Sequence, residues 1–152
     1  MVSGKEGIIR QMLEPRQHLQ IMNYWKSEPA EFQKTEEAPM QMKAVFHIDE
    51  IEKWNLLIAN VQNLLKAITE SMFEIEIVAN SAAVKEYLIN DSNFTDELTE
   101  LSTKGIKICA CKNALNGLNI KQDEIFEFVT IVPVGVKELI EKQNDGFAYI
   151  KP

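Results

Sequence analysis

"KAVFHIDEIEKWNLLIANVQNLLKAI", residues 43–68, changes its period halfway along. The first six residues are a short, mostly apolar run, which reads as a strand. From there Ile48, Ile51, Trp54, Ile58, Val61, Leu65 and Ile68 fall three or four apart, the spacing of one face of a helix. Asp49, with Glu52 three residues on, reads as a capping box that opens this helix. A strand that feeds straight into a long amphipathic helix sets the grammar for everything downstream.

That grammar recurs to the end of the chain. "FEIEIVA" (73–79) is a second strand, with Glu74 and Glu76 alternating against Phe73, Ile75 and Ile77. "NSAAVKEYLI" (80–89) is expected to be a helix capped by Ser81, and "TDELTELSTKG" (95–105) another, capped by Thr95 and stopped by Gly105. "IKICAC" (106–111) is a third strand, followed by the short helix or turn "NALNGL". Next come the strand "FEFVTIVP" (126–133), the helix "GVKELIEKQ" ending near Gly146, and the strand "FAYIK". Five short strands separated by helices predict an α/β fold: one domain over 43–152, built on a mainly parallel sheet with helices on both faces.

Residues 1–42 read differently. They hold Pro15, Pro29 and Pro39, while Ile8, Met12, Leu19, Met22 and Trp25 keep helical spacing. This predicts a helical arm over 6–26 and a linker over 27–42, the arm's apolar stripe docking on the body or on another subunit. The N-terminus lacks the apolar core of a signal peptide, and no apolar run reaches the roughly 18 residues of a membrane span. A cytoplasmic protein with reduced thiols is expected. The net charge of −7, with no cluster of Lys or Arg, argues against a nucleic-acid surface. The glycines spell neither a dinucleotide fingerprint nor a phosphate loop, and there is no G-x-S-x-G elbow.

Open parallel sheets gather their ligands outside the carboxyl ends of the strands. Those ends here carry His47 after the first strand, Asn80 and Ser81 after the second, and Cys111 to Asn113 after the third. Pro133 to Gly135 follow the fourth. Both cysteines of the chain, Cys109 and Cys111, lie in this region. Two residues apart on a strand, their Cα atoms stand about 6.6 Å from each other, at the upper limit for a disulfide. A zinc site needs three or four ligands, more than this C-x-C and two distant histidines offer. Cys109, inside the strand, reads as a small buried hydrophobe. Cys111 admits that reading too, but at a helix N-terminus free N–H groups and the dipole favour thiolate, so it is also a candidate nucleophile. His47 is either a strand-end residue bonded to backbone or a base holding Cys111 as thiolate.

"KAVFHIDE", "NVQNLL", "GIKICACKNAL", "VPVGVKELIEKQ" and "GFAYIKP" occur in that order. In these segments the chain from residue 43 resembles the DsrE/DsrF-like family of small sulfur-handling proteins; residues 1–42 have no counterpart there. The resemblance implies a single α/β domain, often assembled as trimers or hexamers. It also implies a cysteine after the third strand that accepts sulfane sulfur as a persulfide and passes it on. That position matches Cys111 in "ACKNAL", while Cys109 keeps its packing role and His47 matches a histidine after the first strand.

The expectation is therefore a homo-oligomeric sulfur carrier or sulfurtransferase-like protein with Cys111 and His47 at its centre. Lys112, Asn113, Asn80, Ser81 and Gly135 would line the substrate site. No metal or organic cofactor is called for, since sulfur is the group transferred, and a sulfur-acceptor protein is the partner implied. The rival readings are a non-enzymatic, oligomeric module binding a small ligand at the rim, and a thiol redox sensor using both cysteines.

Overall fold

Alternation along the strands decides which residues meet which layer. The structure, a computed structural model, describes residues 41–68 and 72–152. The predicted arm over 6–26, and the linker up to residue 40, lie outside the described residues. Strand β1 spans Met42–Ile48, so Met42 already belongs to the sheet rather than to the linker. A single 3₁₀ turn at Ile51–Lys53 leads into α1, Trp54–Ala67. Then follow β2 (Phe73–Ala79), a 3₁₀ segment (Ser81–Tyr87) and α2 (Thr95–Thr103). Strand β3 (Lys107–Cys111) runs directly into α3 (Lys112–Gly117). Strand β4 (Val129–Val132), α4 (Gly135–Asn144) and β5 (Ala148–Ile150) complete the domain.

The five strands pair in the order β4-β3-β2-β1-β5, all parallel. Parallel crossovers are right-handed. The first three connections all step in one direction across the sheet, so their helices cover one face. The fourth returns from the β4 edge to the β5 edge and lays α4 on the opposite face. This is the predicted α/β architecture with helices on both faces.

On the first face Phe46, Ile48, Ile75, Ile77, Ile108 and Ala110 meet Trp54, Leu57, Ile58 and Val61 of α1 and Leu98 and Leu101 of α2. Trp54, Ile58 and Val61 belong to the stripe read from the sequence; Leu57 joins them in the core, while Leu65 and Ile68 of that stripe are only partly buried. The second face is a smaller cluster, in which Val45, Val78, Cys109 and Val132 meet Leu139 and Phe147. Gly105 and Gly146 stop the helices before β3 and β5 with φ of +86° and +87°, a region that costs glycine nothing.

The predicted caps are not made. Asp49 is drawn instead to the far end of the chain, where its Oδ2 accepts from Lys151 Nζ at 2.9 Å, and the first turn begins at Glu50 without a side-chain cap. Thr95 is the first residue of α2 rather than its cap; Phe94 takes that position, and its N–H donates to Ser92 Oγ at 3.1 Å. The segment after β2 is 3₁₀ rather than α-helical, with Asn80 in the cap position and Ser81 at φ +50°. Within it the Ala83 carbonyl accepts from the Trp54 indole N–H at 3.0 Å, which ties the segment to the start of α1. Strand β4 is shorter than "FEFVTIVP" because the Phe126 N–H turns aside to the Tyr87 carbonyl, 3.0 Å away.

Candidate functional site

The register puts His47, Asn80 and Cys111 at the carboxyl ends of β1, β2 and β3, three neighbouring strands. All three follow the alternation of the face under α4. Their side chains share that face with Val45, Val78 and Cys109.

Cys111 ends β3 and stands in the N-cap position of α3, with extended backbone at φ −68°, ψ 120°. Its side chain is 7% exposed, a rim thiol that is nearly covered. The covering group is Gly135, the first residue of α4, whose N–H donates to Cys111 Sγ at 3.3 Å. The sulfur therefore lies at the start of two helices. The fit at Gly135 is tight: a Cβ there would come within 2.0 Å of Asn80 Oδ1, so the Asn80 side chain would have to shift.

Asn80 fills the space between β1 and β3. Its Nδ2 lies 3.1 Å from His47 Nε2. With that amide donating, the other ring nitrogen carries the proton, and Nδ1 donates to the Tyr149 hydroxyl oxygen at 2.7 Å. Asn80 Oδ1 is buried with no hydrogen-bond partner among the described residues, and it occupies the space that a side chain at Gly135 would need. Burial lowers the pKa of His47 below its usual value, with Asp49 pulling up and Lys151 pulling down.

His47 and Cys111 thus share a rim but do not touch as a base and its thiol would. They are two strands and one side-chain row apart, on the order of 10 Å, and both ring nitrogens of His47 are engaged by Asn80 and Tyr149. The route from one to the other runs through Asn80 and Gly135. Of the remaining candidates, Lys112 and Asn113 are exposed on the first turn of α3, and Ser81 is exposed and turned by its positive φ.

Cys109 is buried in the small apolar cluster, as its place inside the strand implied, but it also has one polar neighbour. Its Sγ donates to Glu76 Oε1 at 3.4 Å. Burial, and then the Glu76 charge, push this thiol well above the usual range, which keeps it protonated and inert. Glu76 is only 1% exposed. Its Oε2 lies 3.2 Å from Lys107 Nζ and 3.3 Å from Lys142 Nζ, so the buried charge is paired twice. Sequence reasoning missed this cluster and Tyr149. The signal for the first was available: an acid in a strand covered on both faces needs cations, and Lys107 pairs with Glu76 across β2 and β3.

Among the described residues no three of His, Cys, Asp and Glu come together as metal ligands, and no helix is long and apolar enough to cross a membrane. Two surface grooves lie away from the rim. One, of about 610 Å³, is lined by Ile89, Ile125, Phe126 and Val129; the other, of about 490 Å³, by Gln62, Leu65 and Phe73.

Comparison with known proteins reinforces the fold. The protein of unknown function MTH1491 from Methanobacterium thermoautotrophicum is 39% identical, with a TM-score of 0.66 over 73% of this chain and 99% of its own. The ychN protein of E. coli, at 15% identity, is similar in fold, with a TM-score of 0.60 over 73% of this chain and 100% of its own. No curated protein matches. The model of the DsrE/DsrF-like family matches residues 42–152, and on that match and the 39% identity the chain belongs to the DsrE/DsrF-like family.

Proposed function

We propose that this protein is a sulfur carrier in which Cys111 accepts sulfane sulfur as a persulfide and yields it to an acceptor thiol. One observation carries the reading: the Gly135 N–H donates to Cys111 Sγ at 3.3 Å, at the start of two helices. A backbone N–H aimed at the sulfur is a ready partner for the thiolate, the form that acts as nucleophile. The Cys111 thiolate attacks the outer sulfur of a donor R–S–SH. An S–S bond forms to Cys111, the donor's S–S bond breaks, and the donor leaves as a thiolate. An acceptor thiolate then attacks the outer sulfur of the Cys111 persulfide and releases Cys111 as thiolate. Sulfur moves with no net oxidation or reduction in either step.

His47 is not the base in this scheme. Bound to Asn80, it holds the amide against Gly135 and keeps the N–H donor in place. The first-turn N–H groups near Lys112 and Asn113 add positive potential, and Asn80, Ser81 and Gly135 border the approach. The carrier works in a reducing compartment as a homo-oligomer, a trimer or hexamer, and hands sulfur to a partner protein.

Loading with inorganic polysulfide followed by peptide mass spectrometry tests the proposal. The expected result is a gain of about 32 Da per sulfur on the Cys111 peptide, reversed by thiol. Cys111→Ser should abolish it, and Cys109→Ser should not. No adduct on Cys111, or equal adducts on both cysteines, would sink the carrier and leave the rim as a ligand-binding module.

A further inference from the structure

Helix α4 holds the donor to Cys111, yet little apolar surface holds α4. Of its ten residues only Gly135 and Leu139 are buried, while Val136 and Ile140 are 58% and 54% exposed on its outer side. The inner side is seated by charge instead. Glu138 Oε1 lies 3.2 Å from Lys107 Nζ on β3. Lys142 Nζ lies 3.3 Å from Glu76 Oε2 on β2, 4.0 Å from Glu138 Oε1, and 5.0 Å from the centre of the Phe147 ring. With Cys109 donating to the other oxygen of Glu76, the network spans β2, β3 and α4 and satisfies a carboxylate that the helix buries.

We propose that Glu138 and Lys142 are positioning residues for Cys111: their ion pairs with Lys107 and Glu76 set the seat of α4, and so the reach of the Gly135 N–H to the Cys111 sulfur. The proposal rests on reading Cys111 as the working thiol. Glu138 is three residues along the helix from Gly135, about 4.5 Å along its axis, so a shift at one is passed to the other by a rigid helix. An N–H to sulfur contact weakens steeply with small changes of distance and angle. Elsewhere on the same helix Lys137 pairs with Glu141, both well exposed, and this pair faces away from the seat.

The pH profile of Cys111 alkylation by iodoacetamide, read by peptide mass spectrometry, separates two effects. A helix that merely loosens admits reagent and raises the plateau rate at high pH. Loss of the donor lowers the thiolate fraction and moves the midpoint. In Glu138→Gln and Lys142→Met the alkylation rate below the midpoint is expected to fall about tenfold with the plateau unchanged. Lys142→Arg should restore the wild-type profile, and Lys137→Met should leave it unchanged. High salt, which screens the half-exposed Lys107–Glu138 pair, should move the wild-type midpoint in the same direction.

A midpoint unmoved in folded Glu138→Gln and unmoved by salt overturns the proposal, whether or not Lys142→Met folds. A raised plateau with no change of midpoint overturns it too. Alkylation needs no sulfur donor, so failed polysulfide loading with a shifted profile sinks the carrier and keeps the positioning.

Discussion

The two faces of the sheet are built by different physics. Under α1 and α2 the contacts are apolar and dense, with Trp54, Leu57, Val61, Leu98 and Leu101 fully buried against the strands. Under α4 a small apolar cluster shares the surface with a doubly paired carboxylate, two cysteines, an asparagine and a histidine. Apolar burial is non-directional and tolerant, whereas an N–H aimed at a sulfur works only at one geometry. The first face supplies stability; the second spends some of it on placement.

The largest expected effect therefore lies on the first face. Trp54→Ala removes a fully buried ring and the indole hydrogen bond to Ala83. Chemical denaturation should show a loss of about 3–5 kcal/mol, with polysulfide loading of the remaining folded protein unchanged. A loss below ~1 kcal/mol would mean that the apolar layer does not carry the fold in this way.

Gly135→Ala probes the second face. Its Cβ cannot coexist with Asn80 Oδ1 at 2.0 Å, so either Asn80 or α4 must move. The expected cost is about 1–3 kcal/mol, smaller than at Trp54, but loading of Cys111 should drop steeply. Adding Asn80→Ala removes the clash and should recover stability; if it does not, the two residues are not in the contact described.

The smallest effect is a pH dependence. Burial holds the pKa of His47 below its usual 6.5. The unfolded chain then binds a proton more readily than the folded one, so stability is full above pH 6.5 and declines as pH falls from there through the lower, folded value. Denaturation midpoints at pH 7.5 and 5.5 should differ in wild type and differ less in His47→Asn. An identical decline in both would place the pH sensitivity elsewhere.

The same contrast explains what could be read from the sequence. Strands and the long helix were legible because their periods are local, and Trp54, Ile58 and Val61 needed only 3.6-residue counting. The caps were not, because distant partners decided them: Asp49 answers to Lys151, 102 residues away. The rim was legible as a set of strand ends, and Cys111 and His47 both lie on it. Strand order was not, and it inserts β2 with Asn80 between them, so that His47 meets the Asn80 amide rather than the sulfur. Tyr149 became visible only once β5 was laid on the sheet, and α4 added Lys142 as the second partner of Glu76.

The last crossover has a consequence for how the molecule comes into being. Strand β5 pairs with β1, Ala148 against Ala44, closing a loop of about a hundred residues, the kind of distant contact that forms late. Helix α4 lies on the way there, so a chain still emerging from the ribosome can already complete the α1 face while its thiol has no donor above it. The contact of the Gly135 N–H with Cys111 is therefore expected among the later ones to form, because α4 lies on the longest crossover of the sheet.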